Sequence, residues 1–172
     1  MKIRSSTPLL NYYSQDGLII NSAFKRYSAR LNLEHRVKEN FKLGVNINTS
    51  YTKDDFVPNG FDLNERAGVI YAAINYDPTL PVRADNGRYF LSPNMNIDNP
   101  LAIANGKDAF SNSYRTFGTA YAEYNFLNGF KAKINVGGDI VSQRTDTYVD
   151  RSTIDGLAAR GIACIDQGKH NN

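Results

Sequence analysis

Arg26-Tyr27-Ser28-Ala29-Arg30-Leu31-Asn32-Leu33-Glu34-His35-Arg36-Val37 is the stretch that decides the fold. Tyr27, Ala29, Leu31, Leu33 and Val37 fall on one parity, Arg26, Ser28, Arg30, Asn32, Glu34 and Arg36 on the other, and only His35 is out of pattern. A period of two belongs to a β-strand whose faces meet different surroundings. After a polar turn at Lys38-Glu39-Asn40 the alternation resumes, with Phe41, Leu43, Val45, Ile47 and Tyr51 against Lys42, Gly44, Asn46, Asn48 and Ser50. The two stretches read as a hairpin.

A second pair lies downstream. Ala120, Ala122, Tyr124 and Phe126 alternate with Thr119, Tyr121, Glu123 and Asn125, and Asn128-Gly129 supplies a strong short hairpin signal. Phe130, Ala132, Ile134, Val136 and Ile140 then alternate with Lys131, Lys133, Asn135 and Asp139, while Gly137-Gly138 marks a bulge or a place where bulk is unwelcome. Upstream, Leu9 to Gln15 reads as the end of an earlier strand, turning through Asp16-Gly17 and Asn21-Ser22. Each strand has at least the ~9–11 residues that cross an outer membrane at a tilt.

The expected organisation is an N-terminal stub at 1–8, barrel strands and the first hairpin at 9–51, a long loop at 52–115, a second hairpin at 116–150 and a truncated loop at 151–172. A connection as long as 52–115 is usually functional, because ordinary loops rarely exceed ~12–15 residues. Within it, Leu63, Ala67, Ile70, Tyr71 and Ile74 recur at helical spacing, and Asp62 with Glu65 outlines a capping box, so one short helix is expected near 62–75. Pro78 and Pro81 end it, and Asp85-Asn86-Gly87 reads as a turn before Tyr89-Phe90-Leu91.

Composition narrows the function classes. The 172 residues are 41% hydrophobic and 22% charged, which excludes wholesale disorder. A net charge of +3 without a basic run is a poor footprint for a nucleic-acid binder. A single cysteine, Cys164, and two distant histidines, His35 and His170, argue against a disulfide framework or a metal centre, and no cofactor is expected. No apolar run is long enough for a transmembrane helix, and Met1 to Pro8 lacks the apolar stretch of a signal peptide. Eleven Tyr and nine Phe without Trp, however, suit strands that face two media.

Tight turns on one side and long loops on the other are the asymmetry of outer-membrane barrels, which keep an apolar exterior and a polar lumen. A soluble sandwich or small barrel gives the same alternation with the apolar face packed inside. Periodicity alone leaves both open, as a transmembrane segment or as a small soluble β-rich binding domain.

The run Tyr13-Ser14-Gln15-Asp16-Gly17-Leu18-Ile19-Ile20-Asn21-Ser22-Ala23-Phe24-Lys25-Arg26-Tyr27-Ser28-Ala29-Arg30-Leu31-Asn32-Leu33 resembles the early barrel of the SusC/RagA family of TonB-dependent outer-membrane transporters. Leu43-Gly44-Val45-Asn46 with Ser50-Tyr51-Thr52, Asp77-Pro78-Thr79-Leu80-Pro81-Val82, Asn99-Pro100-Leu101-Ala102, Tyr121-Ala122-Glu123-Tyr124 and Gly161-Ile162-Ala163 to Asn172 are similar to that family in its order. The resemblance implies an all-β fold: about four or five antiparallel transmembrane strands of a 22-stranded barrel, with long extracellular loops. It further implies import of oligosaccharides or peptides across the outer membrane of a Bacteroidota-type bacterium. TonB supplies the energy, and a SusD-like surface lipoprotein closes over the barrel mouth. The chain departs from the family in lacking signal peptide, TonB-contacting segment and plug, so it is expected to be an internal fragment that does not transport alone, or a nonfunctional truncated gene product. An open sheet leaves edge groups unpaired, each costing several kcal/mol in hydrocarbon. If expressed alone, with Leu31, Leu33, Leu43, Val45, Ile47, Phe126 and Ile134 outward, it is expected to aggregate or be degraded.

Candidate sites follow from the two faces. Arg26, Arg30, Glu34, Arg36, Lys42, Lys131, Lys133 and Asp139 are candidates to line a lumen and bias its selectivity, although such rows ordinarily just keep a polar face hydrated. Tyr71, Tyr76, Tyr89 and Phe90, with Tyr51 and Tyr114 beside the loop, are candidates to stack on ligand rings or pack on a lid protein. Tyr27, Tyr124 and Phe126 belong to interfacial girdles. Asp54-Asp55 and Asp62 with Glu65 are of the residue types for a general acid and base pair or a calcium site, but acidic clusters in a long loop ordinarily serve solvation or capping. With no Ser-His-Asp order, Cys-His pair, phosphate loop or HExxH, an enzyme is not expected.

Overall fold

The alternating stretches all form strands in a computed structural model that describes residues 3–57, 68–93, 97–127, 129–158, 160 and 162–166. β1 (Ile3–Asp16), β2 (Ala23–Lys38), β3 (Phe41–Phe56), β4 (Lys107–Leu127), β5 (Phe130–Val149) and β6 (Ile162–Asp166) form one antiparallel sheet in chain order. Three short helices, α1 (Val69–Asn75), α2 (Pro100–Gly106) and α3 (Ile154–Ala158), lie in the two long connections.

The sheet is larger than the sequence suggests, six strands instead of four or five. β1 reaches back to Ile3, so residues 3–8, set apart above as a stub, pair with β2, Pro8 opposite Leu31 and Thr7 opposite Asn32. Residues 162–166, read above as loop, pair with β5. The long connection is correspondingly shorter, because β3 and β4 continue pairing past the apolar stretch through Thr52 to Phe56 and Ala109 to Ser113. Polar strands of this kind carry no alternation of hydrophobicity and are invisible to a periodicity argument.

The turns are tight on one edge only. Lys38 pairs with Phe41 across Glu39 and Asn40, and Leu127 pairs with Phe130. Gly129 has φ +94°, a left-handed value that glycine adopts without steric cost, while Asn128 lies outside the described residues. Gly137 and Gly138 sit in unbroken register opposite Thr119 and Gly118, so they mark no bulge; a Cβ at Gly137 would lie 3.2 Å from the Thr119 methyl.

Helix α1 falls in the expected region, but Asp62 and Glu65 lie outside the described residues, and the helix starts at Gly68 without a side-chain cap. The second loop helix, α2, was not expected. Asn99 caps it by accepting from the Leu101 and Ala102 N–H groups, with Pro100 in the first turn where no intrahelical donor is required.

The packed core lies in the loops. Val57, Val69, Ala72, Ile103 and Ala104 are buried together, with Ile19 and Ile97 against them. On the sheet, by contrast, Ile134 and Ile140 are 68% and 69% exposed, which is incompatible with the inner face of a sandwich.

Candidate functional site

The register sorts the side chains into two faces. Leu31, Leu33, Leu43, Val45, Ile47, Ala120, Ala122, Ile134, Val136 and Ile140 share one face by their cross-strand pairings. His35, out of pattern in the sequence, lies on this face opposite Leu43, and its Nδ1 has no hydrogen-bond partner among the described residues.

Two aromatic rows bound that apolar face. Tyr12, Tyr27, Tyr51 and Tyr114 occupy one register line across four strands, with successive ring centroids 4.9, 6.2 and 4.5 Å apart. At the turn edge Phe41, Tyr124, Phe126 and Phe130 make a second row with centroids 6.2, 6.4 and 5.9 Å apart. Between Phe41 and Tyr51 the chain advances about 34 Å along β3, or about 25 Å of depth at a barrel-like tilt of roughly 40°. This equals the apolar band of an outer-membrane barrel between its girdles. Tyr51 and Tyr114, grouped above with possible ligand contacts, stand in the same row as Tyr27 on the sheet.

Every proposed lumen residue lies on the opposite, polar face: Arg26, Arg30, Glu34 and Arg36 on β2, Lys42 on β3, and Lys131, Lys133 and Asp139 on β5. They are organised rather than dispersed. The Tyr121 hydroxyl donates to Glu34, and Lys42 lies 2.9 Å from the same carboxylate. The Lys133 ammonium stands 4.6 Å from the Tyr121 ring centroid, and Lys131 pairs with Glu123 at 2.9 Å. To reach Glu34, the Tyr121 ring crosses β3 above Gly44, where a Cβ would lie 2.1 Å from a ring carbon. Farther along, Arg115 grips Asp139 through Nε and Nη2, the shortest contact being 2.6 Å. Arg26 sits over the Tyr13 ring at 5.8 Å, and Arg30 donates to Asn32.

The long loops form a framed cap at the other edge. Asn99, 2% exposed, donates from Nδ2 to the Val82 and Phe90 carbonyls while its oxygen caps α2. Asp98 accepts from the Asn99 and Ile154 N–H groups, at 2.9 and 2.8 Å, and so ties the β3–β4 loop to the β5–β6 loop. Asn21 donates to the Ala104 carbonyl and brings in the β1–β2 turn. Tyr76 donates to the Phe90 carbonyl at 3.1 Å, and burial pushes its hydroxyl pKa up. The Thr79 hydroxyl and N–H hold the Asp77 carboxyl below its usual range, as Ser152 and the neighbouring backbone do for Asp150.

Of the four candidate loop aromatics, Tyr76 and Phe90 meet and Tyr89 carries Arg83 over its ring at 4.6 Å. Among the described residues no hydrogen bond or ring contact joins Tyr71 to these three, although the Tyr71 carbonyl accepts from Asn75. Asp55 pairs with Lys53 at 3.3 Å. Sequence reasoning missed Tyr12, Gly44, Arg115 and Asn99. The Asn99-Pro100 pair was a legible start signal for α2, whereas the Gly44 slot depends on register.

No family model matches the chain. It is similar to TonB-dependent receptor P3 of Formosa agariphila, with 26% identity over 167 residues, covering 94% of the chain and 16% of the receptor. It is also similar to TonB-dependent receptor P26 of the same bacterium, with 29% identity over 125 residues, 67% of the chain and 11% of that receptor. The chain thus spans less than a fifth of the length of the curated relatives it matches. The likeness is to TonB-dependent receptors, in agreement with the resemblance found in the sequence, and to receptors rather than enzymes.

Proposed function

We propose that the chain is a membrane-spanning part of a TonB-dependent importer of the SusC/RagA type. Its strands sit in the outer membrane, with the apolar face toward lipid and the polar face toward the lumen. The whole protein takes up oligosaccharides or peptides, TonB supplies the energy, and a SusD-like surface lipoprotein closes over the loops built from residues 57–106 and 150–160. The observation that carries this reading is the uncovered apolar band framed by two aromatic rows. A lumen is a fitting place for Arg26, Arg30, Glu34, Lys42, Lys131, Lys133 and Asp139: Lys42 pairs with Glu34, Lys131 with Glu123 and Asp139 with Arg115, while Arg26 and Lys133 lie over tyrosine rings and Arg30 donates to Asn32. The likeness to TonB-dependent receptors supports the same class. The alternative, a soluble β-rich binding domain, would need a second layer over Leu43, Val45, Ile47 and Ile134, all of them exposed.

The test is to tag the full-length protein that carries this segment in its own bacterium and purify it from fractionated cells. Recovery from the outer membrane together with a surface lipoprotein, and loss of growth on one class of oligosaccharide or peptide when the gene is deleted, are expected. Recovery from the soluble fraction would overturn the reading.

A further inference from the structure

We propose that the cleft between the 83–89 hairpin and the loop after β5 binds the acidic group, carboxylate or sulfate, of an oligosaccharide. The inference rests on the importer reading and narrows its substrate class. The cleft holds about 550 Å³, within the range of small-ligand sites, and Arg83, Arg88, Arg151, Tyr89, Leu91 and Leu157 line it. Three arginines and one carboxylate, Asp150, are in the lining, so the wall keeps a positive surplus. Among the described residues none of the three arginines closes a salt bridge, and Asp150 accepts from the Ser152 N–H. Guanidinium forks match the planar edges of carboxylates and sulfates and bind them through paired, charge-assisted hydrogen bonds.

Two of the three cations are held in place before any ligand arrives. Arg83 donates from Nη1 to the Gly87 carbonyl at 2.8 Å and stacks on Tyr89, and Arg151 donates from Nε to the Arg160 carbonyl at 2.9 Å. Each thus spends one N–H on the loop and keeps the others. The walls are joined by the Asp98 bond to Ile154 and the Asn99 bonds to Val82 and Phe90. A cleft formed in advance does not charge its ordering entropy to binding.

The neighbouring side chains favour a sugar over a peptide. Tyr89, Leu91 and Leu157 offer flat apolar contact suited to the C–H face of a pyranose ring. Arginine clusters also take acidic peptides, so triglutamate is the ligand that discriminates between the two classes.

The experiment uses the full-length outer-membrane protein in detergent, titrated calorimetrically with trigalacturonate, its methyl ester, a sulfated carrageenan disaccharide and triglutamate. At least one of the two acidic sugars binds, which also tells carboxylate from sulfate. Methyl esterification, where trigalacturonate is the ligand, and Arg88→Gln each weaken binding about tenfold. Arg88 has no side-chain hydrogen bond among the described residues, so its replacement leaves the loop frame intact. Arg83→Lys keeps the charge, loses the fork, and weakens binding similarly. Binding of neither acidic sugar, equal binding of acid and ester, triglutamate binding as tightly as the sugars, or unchanged affinity in both arginine variants would overturn the proposal. Uptake by the same variants is scored separately. In the unsubstituted protein, import of an oligosaccharide or peptide without binding of either acidic sugar sinks the cleft alone, whereas absence of import of any oligosaccharide or peptide sinks the importer reading.

Discussion

Tyr121 reaches Glu34 only because Gly44 leaves β3 without a side chain beneath the ring. Gly44→Ala is therefore expected to displace the ring and destabilise the barrel by about 1–3 kcal/mol, read as a lower urea midpoint for the membrane-inserted protein. Tyr121→Phe, which keeps the packing and loses only the hydroxyl, should cost less, about 1 kcal/mol. Asn99 is the corresponding single point in the loops, since one buried amide caps α2 and satisfies two carbonyls. Asn99→Leu removes the cap, at about 1 kcal/mol, and orphans buried groups at about 1–3 kcal/mol. The measurable result is faster hydrogen exchange at residues 101–106 with the strand amides unchanged. At Asp77 the carboxyl pKa is lowered in the folded loop by Thr79, so its stabilising effect is complete above the unfolded value and disappears as pH falls through the folded one. Exchange of the Thr79 amide should accelerate only in that acidic window and should be insensitive to pH near neutrality, once corrected for intrinsic rates.

At the scale of the element, the alternation along β2, β3, β4 and β5 was legible because apolar and polar surroundings impose a period of two. Its limits were not. Residues 3–8, 52–56 and 109–113 extend the strands through backbone pairing, which polar side chains neither announce nor prevent. β6 and α3 escaped notice because five residues are too few to display any period. The charged pairs were legible as a face but not as partners, since the Arg115–Asp139 and Lys42–Glu34 contacts follow from register. The band between the aromatic rows leads to a depth-dependent expectation. Val45→Arg, near the middle of the band, should cost about 2–4 kcal/mol in lipid, while Asn46→Arg on the other face should be nearly silent. Equal costs at both positions, measured by unfolding in bilayers, would count against a lipid-facing side.

For the whole molecule, the sheet among the described residues runs from β1 to β6 without closing on itself. Its outer strands carry unpaired backbone groups that hydrocarbon penalises by several kcal/mol each. The 172-residue chain expressed alone should therefore appear in aggregates and should not form a monomeric, heat-modifiable species in lipid; a stable inserted monomer would refute this expectation. The cap of loops was foreseen only as a long functional connection with one helix. Its frame of Asp98, Asn99 and Asn21 joins segments far apart in sequence, and no local pattern encodes such contacts. The central claim is that one face of the sheet meets lipid between the tyrosine row and the turn-edge row. The most direct measurement is a spin-label scan of residues 41–53 on β3 of the full-length protein in bilayers, in a background with Cys164 and any other cysteine replaced by serine, comparing oxygen with a water-soluble nickel complex as relaxant. Positions 43, 45 and 47 should favour oxygen and 42, 46 and 48 nickel, with the contrast fading beyond 51. Uniform access to nickel on both parities, or protection of 43, 45 and 47 from both relaxants as in a packed protein core, would contradict the account.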